Sequence, residues 1–337
     1  MGKVTLIGID TAKQVFHLVG VDATNDVVWR RKVSRGQLLS VLRQREPCRV
    51  VLEACAGSHH WGRRIRELGH RVDLLAAQHV TAYRQGQKND YRDAEAIVSA
   101  AQRPACHFVA IKREAQQAEQ ALHRVRSRLL SARNAAANSL RGLLAEYGVV
   151  FGKSHRALAE GARCFAETQR ARDLGLVELV HDVLEEIAQL ATRIQRYEAR
   201  IEARVREDGL SARLQAELKG VGVLGASALR VRVADPGEFA NARNFAAFLG
   251  LVPGHRGTGG KVRIGKLRKG HDPYLRTLLI HGARSVVARL GDRQDAESRW
   301  LRAIVERRGF NVACVALAHK NARQAWAMMA RREAAVH

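Results

Sequence analysis

The feature that most constrains the fold is a short, almost wholly apolar run near the start of the sequence, from Val4 to Ile9. A strand that is buried on both faces of a sheet has this pattern, and such strands are typical of α/β sheets. Further strand candidates follow in the first hundred residues, at 14–21, 27–33, 49–54 and 71–76. The chain is therefore expected to begin with an α/β sheet that contains the first run as a central strand.

The order of the elements narrows the choice of α/β fold. The polar segment 22–26 joins the second and third candidate strands as a hairpin. After the fourth strand, Ser58 is expected to cap a helix that runs to about Leu68, with Gly69 as its stop. Three strands, one strand, a helix, a strand and a helix is the order of an RNase H-like sheet, although the same pattern could be drawn as another α/β fold.

Helices dominate the rest of the chain. Residues 113–147 are rich in Ala, Leu, Gln and Arg, and a second long helix is predicted from about Leu176 to Arg206. In the second helix, apolar residues recur at steps of three or four, namely Val180, Leu184, Ile187, Leu190, Ile194, Tyr197, Ile201 and Val205. This coiled-coil periodicity predicts either an intramolecular helical hairpin packed on a core or a dimerisation arm.

These patterns predict three domains. Residues 1–108 form an α/β domain, residues 109–210 a helical and coiled-coil segment, and residues 211–337 a mostly helical C-terminal domain. A loop rich in Gly and basic residues, from Pro253 to Gly270, lies within the C-terminal domain. The predicted fold class is thus α/β plus α.

The charge balance argues against the class of ordinary acidic metabolic enzymes. Lys and Arg total 57 against 33 Asp and Glu, so the formal net charge is +24. Such an excess makes a polyanion, above all nucleic acid, the leading partner. Only 5% of the residues are aromatic, so stacking of bases on many aromatic side chains is not expected to be the main mode of binding.

Cysteine usage and hydropathy point to a cytoplasmic protein. The five cysteines are scattered without a CxxC pair, so neither a disulfide framework nor a zinc module is expected. No signal peptide is recognisable, and the longest apolar runs fall short of the roughly 20 residues that span a bilayer. We therefore expect no membrane partner.

Four carboxylates stand out in a chain this basic. Asp10 follows the first buried strand, and Glu53 lies near the end of the fourth, which neighbours the first in an RNase H-like sheet. Strand ends of this kind carry the sites of α/β sheets. Asp90 and Asp93 are three residues apart, so at a helix start they share a face. Alone, Asp10 could be a turn residue and Asp90 an N-cap; together the four suit two Mg²⁺ or Mn²⁺ ions.

A second candidate site is the stretch 254–286. Against one acid, Asp272, its basic residues are Arg256, Lys261, Arg263, Lys266, Arg268, Lys269, Arg276 and Arg284. The interspersed glycines let a backbone approach phosphates closely, and the cations neutralise those phosphates. Thr258 is the one hydroxyl between Pro253 and Gly270. The alternative interpretation is a solvated surface loop.

Two weaker signals also suggest phosphate binding. Gly220-Val221-Gly222 resembles the hairpin of a helix-hairpin-helix motif, whose backbone amides bind phosphate, but it could equally be a tight turn between helices. The helix at 113–147 carries a series of arginines that would hold an RNA or DNA backbone: Arg124, Arg126, Arg128, Arg133 and Arg141.

Ordered motifs run through nearly the whole chain. In the first domain they are Gly8-Ile9-Asp10 with Lys13, Leu52-Glu53-Ala54-Cys55-Ala56-Gly57, and Lys88-Asn89-Asp90-Tyr91-Arg92-Asp93-Ala94. In the last domain they are Phe248-Leu249-Gly250-Leu251-Val252-Pro253, Thr258-Gly259-Gly260-Lys261, Ile264-Gly265-Lys266, Tyr274-Leu275-Arg276, and Val315 to Lys320 with Trp326. The set resembles the insertion-sequence transposases of the IS110 family, in particular their IS1111 branch, which are bridge- or seeker-RNA-guided DNA recombinases related to the Piv invertase.

The resemblance implies a RuvC-like DEDD domain, a helical coiled-coil segment and a C-terminal transposase domain with a catalytic serine. Asp10, Glu53, Asp90 and Asp93 match the DEDD positions one by one. The family usually shows a Ser before the Gly of the loop, or a Ser-Ser or Ser-Thr pair there, whereas this chain has Gly257-Thr258. Either Thr258 is the nucleophile, or the first position of the pair matters and this chain lacks it; we favour Thr258.

The resemblance also implies strand cleavage and exchange through a covalent, hydroxyl-linked DNA intermediate assisted by the metal site. The nucleic-acid-binding residues would be Lys261, Arg263, Lys266, Arg268, Lys269, Arg276, Arg124 and Arg128. The partners would be a non-coding guide RNA, donor and target DNA, and further copies of the chain, as a homodimer and as a tetramer in the synaptic complex. Two other classes stay open: a RuvC-like nuclease or junction resolvase without a covalent intermediate, and a non-catalytic basic scaffold.

Overall fold

The computed structural model describes residues 2–77, 80, 83, 90–103, 106, 108–233, 235–258 and 261–334. Within these ranges, residues 90, 255, 256, 258, 261, 262, 264 and 332–334 are described by their backbone alone. Contacts divide the chain into two compact units, one of residues 1–116 with 233–240 and one of residues 117–232 with 241–337. In the described part of the chain, no helix is both long and apolar enough to cross a bilayer.

A mixed sheet organises the first unit. Its strands, among the described residues, are β1 (Leu6–Thr11), β2 (Val15–Val21), β3 (Val27–Ser34), β4 (Arg49–Glu53), β5 (Arg71–Leu75) and β6 (Phe108–Val109). They lie in the order β3-β2-β1-β4-β5-β6. Strand β1 runs antiparallel to β2 and parallel to β4, and β4 runs parallel to β5. This order and these directions confirm the predicted RNase H-like sheet.

Helices cover both faces of the sheet. Among the described residues, the α-helices with defined bounds in this unit are α1 (Leu38–Arg43), α2 (Ser58–Arg66) and α3 (Asp90–Ala101). Because side chains alternate along a strand, Ile7 and Ile9 of β1 pack into the core that contains residues of α1 and α2. Leu6 packs into the other core, with residues of α3 such as Ile97. The first apolar run is thus buried on both faces, as its composition predicted.

The start of α2 differs from the prediction. Gly57 occupies the N-cap position in a left-handed conformation, with φ at 90°. Ser58 is the first helical residue, and its hydroxyl donates a hydrogen bond back to the Cys55 carbonyl at 2.9 Å. The prediction that Ser58 is the N-cap is therefore wrong by one residue, because the tight turn after β4 needs a glycine conformation.

Helices form most of the second unit. In the part of the unit that the structure describes, they are α4 (Glu114–Ala145), α5 (His155–Ala166), α6 (Gln169–Asp173), α7 (Val177–Glu207), α8 (Gly209–Glu217), α9 (Val223–Arg232), α10 (Ala242–Phe248), α11 (Pro273–Val287), α12 (Ala296–Arg308) and α13 (Phe310–Ala334). The two long helices predicted at 113–147 and 176–206 correspond to α4 and α7. A short antiparallel hairpin, β7 (Pro253–Thr258) and β8 (Lys261–Leu267), lies between α10 and α11.

The apolar stripe of α7 is buried within its own chain. Val180 and Leu184 pack with residues of α4, α5 and α6, such as Leu140 and Phe165. Farther along the helix, Leu190 and Ile194 pack with Leu129 of α4. Of the two interpretations of this stripe, the structure therefore favours the intramolecular helical hairpin.

The Gly-Val-Gly segment is a tight turn between α8 and α9. Gly220 adopts a left-handed conformation, with φ at 88°. A Cβ atom at Gly220 would lie 2.9 Å from the carbonyl carbon of Gly282 on α11, so no larger residue fits without a shift of the backbone. Between Gly220 and Gly222, Val221 is buried. This packing favours the tight-turn interpretation of the motif.

A buried polar network joins α4, α9 and α11. The two ring nitrogens of His123 lie 2.9 Å from the Tyr274 hydroxyl and 2.9 Å from the Ser227 hydroxyl. Burial lowers the pKa of His123 to about 4, with a further contribution from the positive charges of Arg126 and Arg232. The imidazole is therefore neutral at physiological pH, and it fixes the start of α11, the helix that follows the basic hairpin.

Candidate active site

Two of the four carboxylates lie side by side at the carboxyl edge of the sheet. Strands β1 and β4 are parallel neighbours, and their register pairs Ile9 with Leu52. The next position on each strand is Asp10 and Glu53, respectively, and both residues are half-buried. Since aligned residues of parallel neighbours project to the same face, the two carboxylates share one face of the sheet.

Helix α3 brings Asp93 to that same face. Gly8 precedes Asp10 by two residues, so the two positions face the same side of β1. A Cβ atom at Gly8 would lie 2.6 Å from the carbonyl oxygen of Ala94, which shows how closely α3 crosses the strand there. Asp93 directly precedes Ala94 and is only 6% exposed. The close approach at Gly8 thus puts Asp93 on the part of α3 that crosses this face of β1.

The thiol of Cys55 marks the region where the strand-end charges converge. Its sulfur lies 2.8 Å from the Thr11 hydroxyl oxygen. Partial burial raises the pKa of the Cys55 thiol, the hydrogen bond between Cys55 and Thr11 opposes this shift, and the negative charges of Glu53 and Asp10 raise the pKa further. The charges of both carboxylates therefore reach the Cys55 thiol, which lies just after the end of β4.

His17 and Tyr91 complete the local packing, and sequence reasoning missed the first of them. The β1–β2 register pairs Asp10 with His17, which is 7% exposed. The rings of His17 and Tyr91 meet edge to face, with their centroids 4.8 Å apart. Tyr91 lies in the first turn of α3, so this contact anchors the start of the helix next to the strand of Asp10. Only the pairing register of the hairpin reveals that His17 belongs here.

The fourth carboxylate, Asp90, begins α3, but its side chain lies outside the described part of the structure. Among the described residues, no three Asp, Glu, His or Cys side chains form a ready metal-binding group. The donor set nevertheless fits a hard divalent cation. Asp10 and Glu53 could supply oxygen ligands from adjacent strand ends, and Asp93 could add one from the covering helix.

The basic stretch that was predicted to be a loop is a β-hairpin for most of its length. Thr258 is the last residue of β7 and pairs with Lys261, the first residue of β8, so Thr258 lies beside the tip of the hairpin. Two residues farther from the tip on each strand, Arg256 pairs with Arg263. Opposed residues and alternate positions of an antiparallel pair share a face. The register therefore places the hydroxyl-bearing residue on a face with three basic positions. The side chains of Thr258 and Lys261 lie outside the description.

The other basic residues predicted to bind nucleic acid differ in how far their side chains are exposed to solvent. Exposed side chains belong to Arg263, Lys266, Arg268 and Lys269 around the hairpin, and to Arg124 and Arg128 on α4. Arg276 is half-buried, and its guanidinium donates a hydrogen bond to the Arg268 carbonyl at 2.8 Å, which secures the base of the hairpin.

Two further arginines of α4 are engaged within the protein. Arg126 forms an ion pair with Glu198 of α7 at 2.6 Å. Arg141 donates hydrogen bonds to the Lys153 and Ser154 carbonyls. The ion pair uses the charge of Arg126 inside the helical hairpin, while the expectation that this helix holds a nucleic-acid backbone stays a prediction.

Replacing Gly8 by Ala is expected to damage the site through α3. The new methyl group would meet a backbone oxygen, so only a shift of α3 can relieve the overlap. Overpacking of this kind costs about 1–3 kcal/mol of unfolding free energy, and strand cleavage should fall as Asp93 moves. Urea denaturation and a cleavage assay measure the two effects. Gly36→Ala is the control, because nothing lies within 4 Å of its Cβ position; equal stability of the two variants would contradict the packing at Gly8.

The sheet order and the acidic strand ends together define an RNase H-like enzyme of phosphodiester chemistry. Comparison with known proteins narrows this class. Residues 7–149 match the model of IS110 transposases of the DEDD type, and residues 212–299 match the model described as "Transposase IS116/IS110/IS902 family". The chain belongs to this family, and it is a DNA transposase.

Curated relatives cover nearly the whole chain. A "Probable family 20 transposase" of Pseudomonas aeruginosa is 46% identical over 330 residues, which is 96% of each chain. The "Transposase for insertion sequence element IS1111A" of Coxiella burnetii is 38% identical over 99% of this chain and 92% of its own length. The "Transposase for insertion sequence element IS1328" of Yersinia enterocolitica is 35% identical over 97% of both chains.

Proposed function

We propose that this transposase cleaves and exchanges DNA strands through a covalent intermediate on Thr258, and that a guide RNA selects the DNA. The observation that carries the proposal is the hairpin β7–β8, which presents a hydroxyl residue among basic positions. A metal-dependent nuclease needs only the acidic strand ends of the first unit. A second centre with a nucleophile and phosphate-binding cations is what a covalent mechanism adds.

The covalent step conserves the phosphodiester bond. The oxygen of Thr258 attacks a phosphorus atom, a phosphorus–oxygen bond to the protein forms, and the bond to the departing strand breaks. The threonine proton ends on the oxygen of the departing strand. A strand end of the second DNA then attacks the phosphothreonine, and its hydroxyl proton returns to Thr258. Because each step exchanges one ester for another, no ATP is required.

The carboxylates would hold Mg²⁺ or Mn²⁺. Asp10 and Glu53 provide ligands from the strand ends, Asp93 provides one from α3, and the DEDD pattern assigns Asp90 to the same set. A bound divalent cation supplies charge neutralisation at the reacting phosphate. Arg263 and Lys266, both exposed on the hairpin, would bind phosphate oxygens beside the nucleophile, while Arg276 keeps the hairpin in position.

Positive charge of this size supports more than one nucleic-acid partner. Lys and Arg exceed Asp and Glu by 24, and exposed arginines lie both around the hairpin and on α4, at Arg124 and Arg128. The sequence shows no helix-turn-helix or zinc-finger pattern for reading bases. Base pairing with a non-coding RNA would supply that readout, while the protein binds backbones of the RNA and of donor and target DNA.

We also propose the assembly that the resemblance implies and the domain limits that the sequence patterns predict. The chain would act as a homodimer and as a tetramer in the synaptic complex, with domains at 1–108, 109–210 and 211–337. Because the apolar stripe of α7 is already buried by α4 and α5, contacts between copies would have to use other surfaces.

Sequencing the RNA that co-purifies with the protein from its host tests the guide. A discrete non-coding RNA encoded beside the transposase gene is the expected result, since specific binding enriches one species. The Arg124→Glu, Arg128→Glu double variant should retain less of this RNA, because two exposed backbone contacts are lost. Random RNA fragments in the wild-type preparation would contradict RNA guidance.

A further inference from the structure

A groove in the second unit is not used by the proposed strand exchange. It measures about 820 Å³ and is lined by residues that precede β7, by α12 and by α13. Most of its lining is apolar, including Leu251, Pro253 and Val315. Its size falls within the range of about 300–1,000 Å³ that small-molecule sites occupy. The groove is therefore large enough to take a ligand of nucleoside size.

An indole and an exposed aliphatic side chain form part of the wall. Trp300 of α12 is 38% exposed and Val312 of α13 is 47% exposed, although both are large apolar residues. The ammonium group of Lys320 lies 5.4 Å from the centroid of the Trp300 ring. Exposed indoles beside cations are a common surface for nucleobases, because every base offers a π face for stacking.

The polar groups of the groove are basic or neutral. His319, Lys320, Arg323 and Gln324 line it, and none of the described lining residues is acidic, although Lys320 forms an ion pair with Glu297 of α12 at 2.6 Å. Burial lowers the pKa of His319, and the positive charge of Arg323 lowers it further. The neutral imidazole offers one hydrogen-bond donor and one acceptor, as the edge of a base requires. Arg323 is exposed and is suited to a phosphate.

Two features favour a nucleotide over a protein segment as the occupant. The groove includes Pro253, the first residue of the basic hairpin, so a nucleic-acid strand bound along β7 reaches it directly. A second copy of the chain carries the same net charge of +24, and like charges oppose docking on a basic rim.

We infer that this groove binds a single unpaired nucleobase, with Trp300 as the stacking surface and Arg323 on the adjoining phosphate. An unpaired base occurs in any nucleic acid that is bulged, nicked open or single-stranded, and its capture would hold a distorted strand next to the hairpin. The inference does not depend on Thr258 as the nucleophile, because it concerns binding and needs no cleavage.

Binding of two otherwise identical DNA duplexes to the full-length protein tests this inference. One duplex carries a single bulged 2-aminopurine, and the other is fully paired. The wild-type protein should bind the bulged duplex more tightly and quench 2-aminopurine fluorescence. Trp300→Ala should weaken binding of the bulged duplex about 10-fold and remove the quenching, while affinity for the paired duplex stays unchanged, because stacking contributes to unpaired bases alone.

A second pair of variants separates the groove from general effects on folding. Val312→Glu puts a negative charge into the groove at an exposed position and should also abolish the preference for the bulge. Val150→Glu is the matched control, since Val150 is 84% exposed and lies outside the groove. Equal binding of both duplexes by the wild type, or a preference that survives in Trp300→Ala, overturns the inference. A change of self-association in these variants without DNA also overturns it, because the occupant would then be another copy of the chain.

Discussion

Asp10→Asn and Glu53→Gln are each expected to reduce DNA strand cleavage by about 1,000-fold or more. The two carboxylates occupy aligned positions at the ends of β1 and β4, and each amide removes one anionic ligand without changing the side-chain shape. Loss of a metal-assisted contribution of several kcal/mol to the transition state corresponds to a rate effect of this order. Single-turnover cleavage of labelled DNA at saturating Mg²⁺ measures the loss.

The stability of these variants distinguishes a catalytic role from a structural one. Clustered carboxylates repel one another in the absence of a cation, so neutral amides should leave the melting temperature unchanged or raise it. Glu95→Gln is the matched control, because Glu95 lies on the same helix as Asp93 but pairs with Arg30 of β3 at 2.7 Å. If Glu95→Gln lost as much cleavage as Asp10→Asn, or if all three variants kept full activity, the acidic strand ends would not be the metal site.

Thr258→Ala is expected to abolish the covalent protein–DNA adduct completely, and with it strand exchange. The methyl side chain has no nucleophilic oxygen, whereas the backbone pairing of residue 258 with Lys261 is retained. Thr258→Ser should restore the adduct and should react at least as fast as the wild type, because serine lacks the branching that makes threonine stiff and hindered. Denaturing electrophoresis of the protein after incubation with end-labelled DNA detects the adduct.

The same variants discriminate among the three functional classes. Adducts that persist in Thr258→Ala would show that another residue is the nucleophile. Full cleavage by Thr258→Ala, without an adduct in any variant, would instead identify a RuvC-like nuclease that uses the carboxylates alone. Unchanged nucleic-acid binding in both Asp10→Asn and Thr258→Ala, together with no cleavage and no adduct in the wild type, would leave only a non-catalytic scaffold.

Burial on both faces explains why the sheet could be predicted. Strands such as β1 and β4 are continuous apolar runs, because their side chains meet a core on either side of the sheet. The hairpin β7–β8 escaped prediction because it has glycines and cations where a strand usually has β-branched residues. Its pairing becomes visible only in the register of Thr258 with Lys261.

The candidate site was predictable where it depends on strand ends and not where it depends on contacts across strands. Asp10 and Glu53 follow from their positions at the ends of apolar runs. His17 does not, because its place beside Asp10 depends on the turn that sets the β1–β2 register. Likewise, the spacing of apolar residues on α7 identifies its buried face, but only the fold shows that α4 and α5 cover that face.

The discontinuity of the first unit has a consequence for synthesis on the ribosome. Residues 233–240 belong to this unit, and within it the Ala110 amide donates a hydrogen bond to the Glu238 carboxylate at 2.6 Å. A nascent chain therefore carries the acidic strand ends long before it carries the last piece of the unit that holds them. At roughly 5–20 residues per second, the 124 residues from 117 to 240 take roughly 6–25 s to translate. Each new molecule thus has all six strands of its sheet during that interval, but the unit that contains the sheet still lacks its last segment.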